Sequence, residues 1–143
     1  MIAVDTNILV YAHRASSAFH EEAYAQMRDL AEGAKPWGIP VSCLHEFLAV
    51  VTNPKIFKPA STAKEATAQI DAWLASPQVS VLHSGAQHWA ILSDISGRAK
   101  LSAGQFHDAR IVAICIENGV SMLWSADRDF GRFKQLKTLN PLI

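Results

Sequence analysis

The sequence has 143 residues, half of them apolar, so we expect residues 1–143 to form one domain with a buried core. Thirteen Lys and Arg balance thirteen Asp and Glu, so net charge alone does not indicate a nucleic-acid partner. Cys43 and Cys115 lie far apart in apolar stretches, which argues against a disulfide framework and favours reduced core thiols in a cytoplasmic protein. No apolar run is long enough to cross a membrane, and we expect no membrane association.

The first part of the chain is predicted to alternate between strands and helices. In order, the predicted elements are a strand at Ile2–Val4, helices at Ile8–His13 and His20–Glu32, a strand at Trp37–Val41 and a helix ending at Val51. Ser42 is predicted to cap the last of these helices, because a hydroxyl there can accept a hydrogen bond from a free backbone N–H. Residues 53–60 contain two prolines and are predicted to form a loop.

The rest of the chain continues the alternation. In order, the predicted elements are a helix opened by the capping-box pair Thr62 and Glu65, a strand at Val79–Leu82, a helix opened by Ser84 and Gln87, a helix at Gln105–Asn118 stopped by Gly119, and a strand at Val120–Trp124. Strands that alternate with helices at this spacing predict an α/β fold, with a central parallel sheet flanked by helices on both faces.

Acidic residues stand at the ends of predicted strands and the starts of predicted helices. Asp5 follows the first strand and Asp127 the last, with Asp129 two residues further on. Ligand sites in open parallel sheets form outside the carboxyl ends of the strands, so Asp5 and Asp127 are expected at one edge if their strands are near neighbours. Glu46 and Asp108 lie in the first turns of helices that we expect to be buried. Asp108 alone could simply complement its helix dipole.

Taken together, four of these acids (Asp5, Glu46, Asp108 and Asp127) predict a cation site. Like charges in one cleft raise one another's pKa and destabilise the fold unless a cation neutralises them. Mg²⁺ and Mn²⁺ prefer such oxygen ligands. Carboxylate clusters that hold one or two of these ions are suited to phosphodiester hydrolysis, because the ion can activate water and stabilise the leaving oxygen.

The same residues resemble the motifs of a known family. The motifs are Asp5-Thr6-Asn7, Glu46, Asp108-Ala109, Ser125-Ala126-Asp127-Arg128-Asp129-Phe130 and the closing Asn140-Pro141-Leu142. In this order they resemble the PIN-domain ribonucleases, and within them the VapC-type toxins of prokaryotic toxin–antitoxin pairs. The resemblance implies a PIN-like fold, metal-dependent endoribonuclease activity on RNA, a cognate antitoxin and commonly a homodimer.

The resemblance also implies roles for individual residues. Asp5 and Asp108 would be the main ligands of Mg²⁺ or Mn²⁺, and Glu46 and Asp127 would complete the acidic pocket. Asp129 matches an acid that is less uniform in the family, and it ranks below these four.

Two neutral side chains and a basic segment complete the predicted site. Ser125 matches a position where the family commonly has Thr, and its hydroxyl is suited to ordering a ligand or a water. Asn7 is expected to hold a carboxylate by hydrogen bonding. Without the five candidate acids, the chain has 13 basic residues and eight acidic residues, which is an excess of five positive charges. The basic residues that follow the last predicted strand, expected to attract RNA phosphates, are Arg128, Arg132, Lys134 and Lys137.

Other patterns are weaker. His45-Glu46 begins like the zinc motif H-E-x-x-H, but position 49 is Ala. His107 is interpreted as a partly exposed residue at a helix start rather than as a general base. We expect most of the four tryptophans to pack in the core rather than to stack on bases.

Two alternative functions follow from the same acids. One is a receiver-like signalling domain, in which an acidic pocket binds Mg²⁺ and an Asp accepts a phosphoryl group. Such a domain would also need a Lys after a late strand, where this chain has Ser125 and Asp127. The other alternative is a PIN scaffold that binds RNA without cutting it.

Overall fold

The computed structural model describes all 143 residues and contains one parallel sheet of five strands in the order β3-β2-β1-β4-β5. The strands are β1 at Ile2–Val4, β2 at Trp37–Pro40, β3 at Val79–Leu82, β4 at Met122–Trp124 and β5 at Lys137–Leu139. Every neighbouring pair is parallel. Helices flank the sheet, which confirms the predicted α/β fold.

Six α-helices and one short 3₁₀ helix connect the strands. The α-helices are α1 at Thr6–His13, α2 at His20–Glu32, α3 at Val41–Val51, α4 at Ala63–Leu74, α5 at His88–Ala99 and α6 at Gln105–Glu117, and the 3₁₀ helix spans Arg128–Arg132. The capping box predicted for α4 is present, with Thr62 and Glu65 each satisfying a backbone N–H of the other. None of the helices has the length and apolar character needed to span a membrane.

The central strand β1 positions the candidate site. It pairs with β2 on one side and with β4 on the other, and Val4 lies opposite Trp124. Ala3 and Val4 are fully buried, since helices cover both faces of a parallel sheet. Just past the strands, the Asp5 N–H donates to the Trp124 carbonyl at 2.9 Å. The residues that follow β1 and β4 are therefore held side by side at one edge.

Two predicted helix caps are wrong. Pro40 precedes the first residue of α3, so the predicted strand ends one residue earlier and Ser42 lies inside the first helical turn without capping it. The start of α5 is capped by Glu117 of α6, whose carboxylate accepts from the backbone N–H groups of Gly85 and Gln87 at 2.7 and 2.9 Å. A carboxylate is a stronger acceptor than the hydroxyl of Ser84, and it comes from a distant part of the chain that local patterns do not reveal.

The strand predicted to start at Val120 starts at Met122 instead. Gly119 adopts a left-handed conformation with φ 70°, and the Val120 N–H donates back to the Cys115 carbonyl at 2.9 Å. The N–H of Gly119 donates to the Ile116 carbonyl at 3.2 Å, and these two bonds form a Schellman motif at the end of α6. Val120 therefore belongs to the end of the helix.

The edge strand β5 was not predicted. Its residues Lys137 and Leu139 are exposed, so it lacks the apolar run that marks the other strands. Lys137 lies opposite Met122, the first residue of β4. It is therefore at the amino-terminal end of the strands, whereas Asp5 and Asp127 lie at the carboxyl-terminal end. Three tryptophans are buried as expected, whereas Trp89 is 74% exposed on α5.

Candidate active site

Asp5 is the buried centre of the site, with only 4% of its surface exposed. Its Oδ1 accepts from the N–H of Thr6 at 2.7 Å, so Asp5 also caps α1. Its Oδ2 accepts from the Ser125 hydroxyl at 2.7 Å and from the Asn7 amide at 3.2 Å. The thiol of Cys43 lies 3.7 Å from Oδ1. Four neutral donors therefore surround one carboxylate.

Asn7 and Ser125 hold this carboxylate as a connected pair. The Asn7 Nδ2 donates to Asp5 and also to the Ser125 Oγ at 3.1 Å, while the Asn7 Oδ1 accepts from the Ala126 N–H at 3.1 Å. The N–H of Asp127 donates to the Ser125 Oγ at 3.0 Å, which leaves the Ser125 proton directed at Asp5. The expected bond from Asn7 to a carboxylate is present. The Ser125 hydroxyl positions Asp5 directly.

The charge of Asp5 has no cation to balance it, since neither Lys, Arg nor His forms an ion pair with it. The pKa of Asp5 is raised from 3.8 to about 6; burial is the main cause, and the negative charge of Glu46 adds to the rise. The hydrogen bonds from Ser125 and Thr6 oppose this rise but do not cancel it. An ionised Asp5 is therefore costly to the fold until positive charge reaches it.

Glu46 of α3 joins the site through Thr6, whose hydroxyl donates to the Glu46 Oε2 at 3.1 Å. Glu46 itself is exposed, which contradicts the expectation that it is buried. The reason is that Cys43 and Phe47 lie on the face of α3 that packs in the core, whereas Glu46 lies on the face towards the cleft. Thr6 was not predicted to be a site residue, although its position directly after Asp5 in the chain could have indicated it.

Asp108 lies in the first turn of α6 and is partly buried. Burial raises the pKa of Asp108, and the charges of Asp127 and Asp129 raise it further, with a smaller contribution from Glu46. The guanidinium of Arg132 acts in the opposite direction. These couplings bring all five candidate acids into one electrostatic neighbourhood, since Glu46 acts on both Asp5 and Asp108.

Asp127 and Asp129 lie on the exposed rim. The Asp127 Oδ1 accepts from the Asp129 N–H at 2.9 Å and caps the 3₁₀ helix. Arg132 is half-buried and lies against Asp129, with its Nε 3.1 Å from the Asp129 carbonyl and its Nη2 3.9 Å from the carboxylate. Arg128 and Lys134 are exposed and form no ion pair with an acid. Of the four cations predicted to attract RNA phosphates, Arg128 and Lys134 are thus unpaired, Arg132 is paired with Asp129, and Lys137 lies at the far end of the sheet.

Four of the five predicted acids share one cleft of about 350 Å³. Its polar lining consists of Asp5, Thr6, Asn7, Glu46, Asp108 and Asp127. Apolar side chains of α1, α3, α6 and the loop after α3 form the rest of the wall, among them Tyr11 and Phe57. Asp129 and Ser125 lie beside the cleft rather than in its lining.

This set of donors fits a hard divalent cation by its chemistry. The oxygens belong to carboxylates, hydroxyls and an amide, and no basic side chain lies in the lining. No three His, Cys, Asp or Glu side chains converge closely enough to hold an ion by themselves. That arrangement suits Mg²⁺, which is usually bound by one or two carboxylates and keeps several waters.

Comparison with known proteins identifies the family. Residues 2–136 match the family model of the PIN domain. The chain belongs to the PIN-domain family. This PIN domain is 36% identical over 142 residues to a VapC ribonuclease of Mycobacterium bovis and, at the same identity, to Ribonuclease VapC43 of Mycobacterium tuberculosis. Each alignment covers 99% of this chain and 96% of the relative. The predicted VapC-type resemblance is confirmed.

Solved structures share the fold of this PIN domain. VapBC2 from Rickettsia felis, bound to a DNA fragment from its promoter, superposes with a TM-score of 0.70 at 19% identity, covering 97% of this chain and 98% of that one. VapC20 of Mycobacterium tuberculosis, a toxin that cleaves the sarcin–ricin loop, gives a TM-score of 0.67 at 21% identity, covering 92% and 93%.

Proposed function

We propose that this PIN domain is a VapC-type endoribonuclease that hydrolyses RNA phosphodiester bonds with Mg²⁺ or Mn²⁺. One observation carries the proposal: four carboxylates, including the buried Asp5, line a single cleft that has no basic side chain in its lining. Full-length identity of 36% to proteins named VapC ribonucleases supports RNA as the substrate class. The proposal treats residues 1–143 as one PIN domain.

The cleft residues divide into ligands and supports. Asp5 and Asp108 would hold the ion, and Glu46 and Asp127 would complete its surroundings. When bound, Mg²⁺ or Mn²⁺ supplies positive charge for the phosphodiester oxygens and lowers the pKa of water for attack on phosphorus. Ser125 keeps Asp5 in one orientation, since its only proton is donated to that carboxylate.

The basic rim beside the cleft would bring RNA to the acids. Arg128 and Lys134 carry positive charge without a carboxylate partner, so they are free to contact phosphates. Arg132 is held by Asp129 and lies close enough to Asp108 to lower its pKa. We therefore assign Arg132 to balancing the charge of the acidic cleft, with RNA contact as a secondary role.

The VapC resemblance supplies further parts of the proposal. It implies a cognate antitoxin that blocks the cleft, and commonly a homodimer. A cytoplasmic location agrees with the two cysteines, which are both buried and unpaired.

Cleavage of total cellular RNA by the purified, antitoxin-free protein tests the proposal. The assay is run with Mg²⁺, with Mn²⁺ and with EDTA, and new RNA ends are mapped by sequencing. We expect one or a few discrete cuts that require metal. Folded protein that binds RNA but cuts nothing with either ion would instead establish the non-cleaving PIN scaffold.

The receiver-like alternative receives no support, because the chain belongs to the PIN-domain family. Incubation with acetyl phosphate is the corresponding check. We expect no phosphorylated aspartate in the intact protein by mass spectrometry.

A further inference from the structure

A second pocket opens next to the acidic cleft, between α3 and α6. Its volume is about 430 Å³, and every side chain that lines it is polar: Ser42, His45, Glu46, His107 and Arg110. Glu46 lines both this pocket and the acidic cleft, so the two spaces meet at its carboxylate. The VapC-type function described above assigns no role to the four other residues.

The donors of this pocket lack partners within the protein. Ser42 is only 6% exposed, and its buried Oγ makes no hydrogen bond. The exposed guanidinium of Arg110 has no carboxylate within 4.0 Å, since the protein's three ion pairs lie elsewhere. The Ser42 oxygen is closed to solvent, so the donors that a ligand in this pocket can reach are those of Arg110, His45 and His107.

The chemistry of the lining favours an anion over a metal ion. Two imidazoles and one carboxylate are present, but no three such groups are arranged to hold a metal. The guanidinium of Arg110 can donate two parallel hydrogen bonds to the oxygens of one phosphate group, and such pairs are among the strongest that arginine forms. The two histidine rings add N–H donors, as in protein contacts to nucleic-acid backbones.

We propose that this pocket binds a backbone phosphate of the RNA strand next to the phosphodiester that is cut in the acidic cleft. The inference rests on the proposed ribonuclease function and deepens it, since it assigns a second contact to the same strand. Arg110 supplies the charge, while the two histidines supply further donors. A phosphate held here fixes which bond of the strand lies over Asp5 and Asp108.

The test measures RNA binding without cleavage, in EDTA and on an Asp5→Asn background. Fluorescence anisotropy of a short labelled single-stranded RNA gives the Kd at several salt concentrations. Arg110→Gln is compared with Arg28→Gln, an exposed arginine on α2 that lines a different groove. We expect Arg110→Gln to raise the Kd about tenfold at low salt and to lower the slope of log K against log salt by about 0.7, the value for one lost phosphate contact.

Ser42→Ala provides an uncharged control at a lining residue whose hydroxyl a ligand cannot reach. We expect it to leave both the Kd and the salt slope unchanged. Equal Kd values and slopes for Arg110→Gln and Arg28→Gln would overturn the phosphate pocket, while metal-dependent cleavage by the wild-type protein would still support the nuclease. If the wild-type protein neither cuts nor binds RNA, both proposals fall.

Inorganic phosphate distinguishes a strand phosphate from a free anion. We expect millimolar phosphate without RNA to leave the thermal stability of the protein unchanged. Stabilisation by phosphate alone that disappears in Arg110→Gln would assign the pocket to a free anion and overturn the RNA assignment.

Discussion

The substitution Asp5→Asn is expected to change the pH dependence of stability. Asp5 has a pKa near 3.8 when unfolded and about 6 when folded, so the folded protein retains this proton between these pH values. The free energy of unfolding therefore falls as pH rises through this window and stays lower above pH 6. Each pKa unit corresponds to about 1.4 kcal/mol, so the loss approaches about 3 kcal/mol in metal-free protein. That is a large share of a typical stability of roughly 5–15 kcal/mol.

Asparagine removes this cost, although it cannot accept from Thr6, Ser125 and Asn7 together as the carboxylate does. The disturbed hydrogen bonds lower this gain in stability by about 1 kcal/mol. The net expectation is a variant that is about 1–2 kcal/mol more stable than the wild-type protein at pH 7.5.

Urea unfolding in EDTA, followed by tryptophan fluorescence between pH 4 and pH 8, measures this difference. Asp71→Asn is the matched control, because it makes the same change at an exposed position of α4. The control should keep the wild-type pH dependence, and Asp5→Asn should flatten it. A remaining slope from Asp108, whose folded pKa is also raised, runs in the same direction. An Asp5→Asn protein that keeps the full wild-type slope, or is less stable at pH 7.5, would show that ionised Asp5 does not destabilise the fold.

Three further predictions concern the residues around Asp5. Mg²⁺ or Mn²⁺ should raise the melting temperature of the wild-type protein and have a much smaller effect on Asp108→Asn, as measured by differential scanning fluorimetry; an equal rise in both would exclude Asp108 as a ligand. Ser125→Ala should destabilise the protein by about 1–3 kcal/mol at pH 7.5, since it leaves Asp5 without its shortest side-chain donor, whereas Ser125→Thr should restore the loss in the same urea titration. Ser42→Ala should stabilise the RNA-free protein by about 1 kcal/mol, because it removes a buried hydroxyl without a partner; destabilisation would show that this hydroxyl is satisfied.

The position of the acids was predictable because it follows from the topology of parallel sheets. Asp5 and Asp127 each follow a strand, and the pairing of β1 with β4 places both at one edge of the sheet. The hydrogen bond from Asn7 to Asp5 was equally predictable, since the two residues are close along the chain.

The remaining features depend on contacts between distant parts of the chain. Glu117 caps α5 from α6, and β5 forms by pairing with β4, although it has no apolar run of its own. Helical spacing placed Glu46 on α3 without showing that it faces the cleft rather than the core. The pocket at Arg110 exists only because α3 and α6 lie together.

Cleavage of one mapped RNA under single-turnover conditions tests whether the acidic cleft is the catalytic centre. The wild-type protein, Asp5→Asn and the exposed control Asp71→Asn are compared with Mn²⁺ after each is shown to be folded. We expect cleavage by the wild-type protein and by Asp71→Asn at equal rates, and none by Asp5→Asn above the buffer control. Cleavage by Asp5→Asn at the wild-type rate would contradict the assignment of the acidic cleft as the catalytic centre.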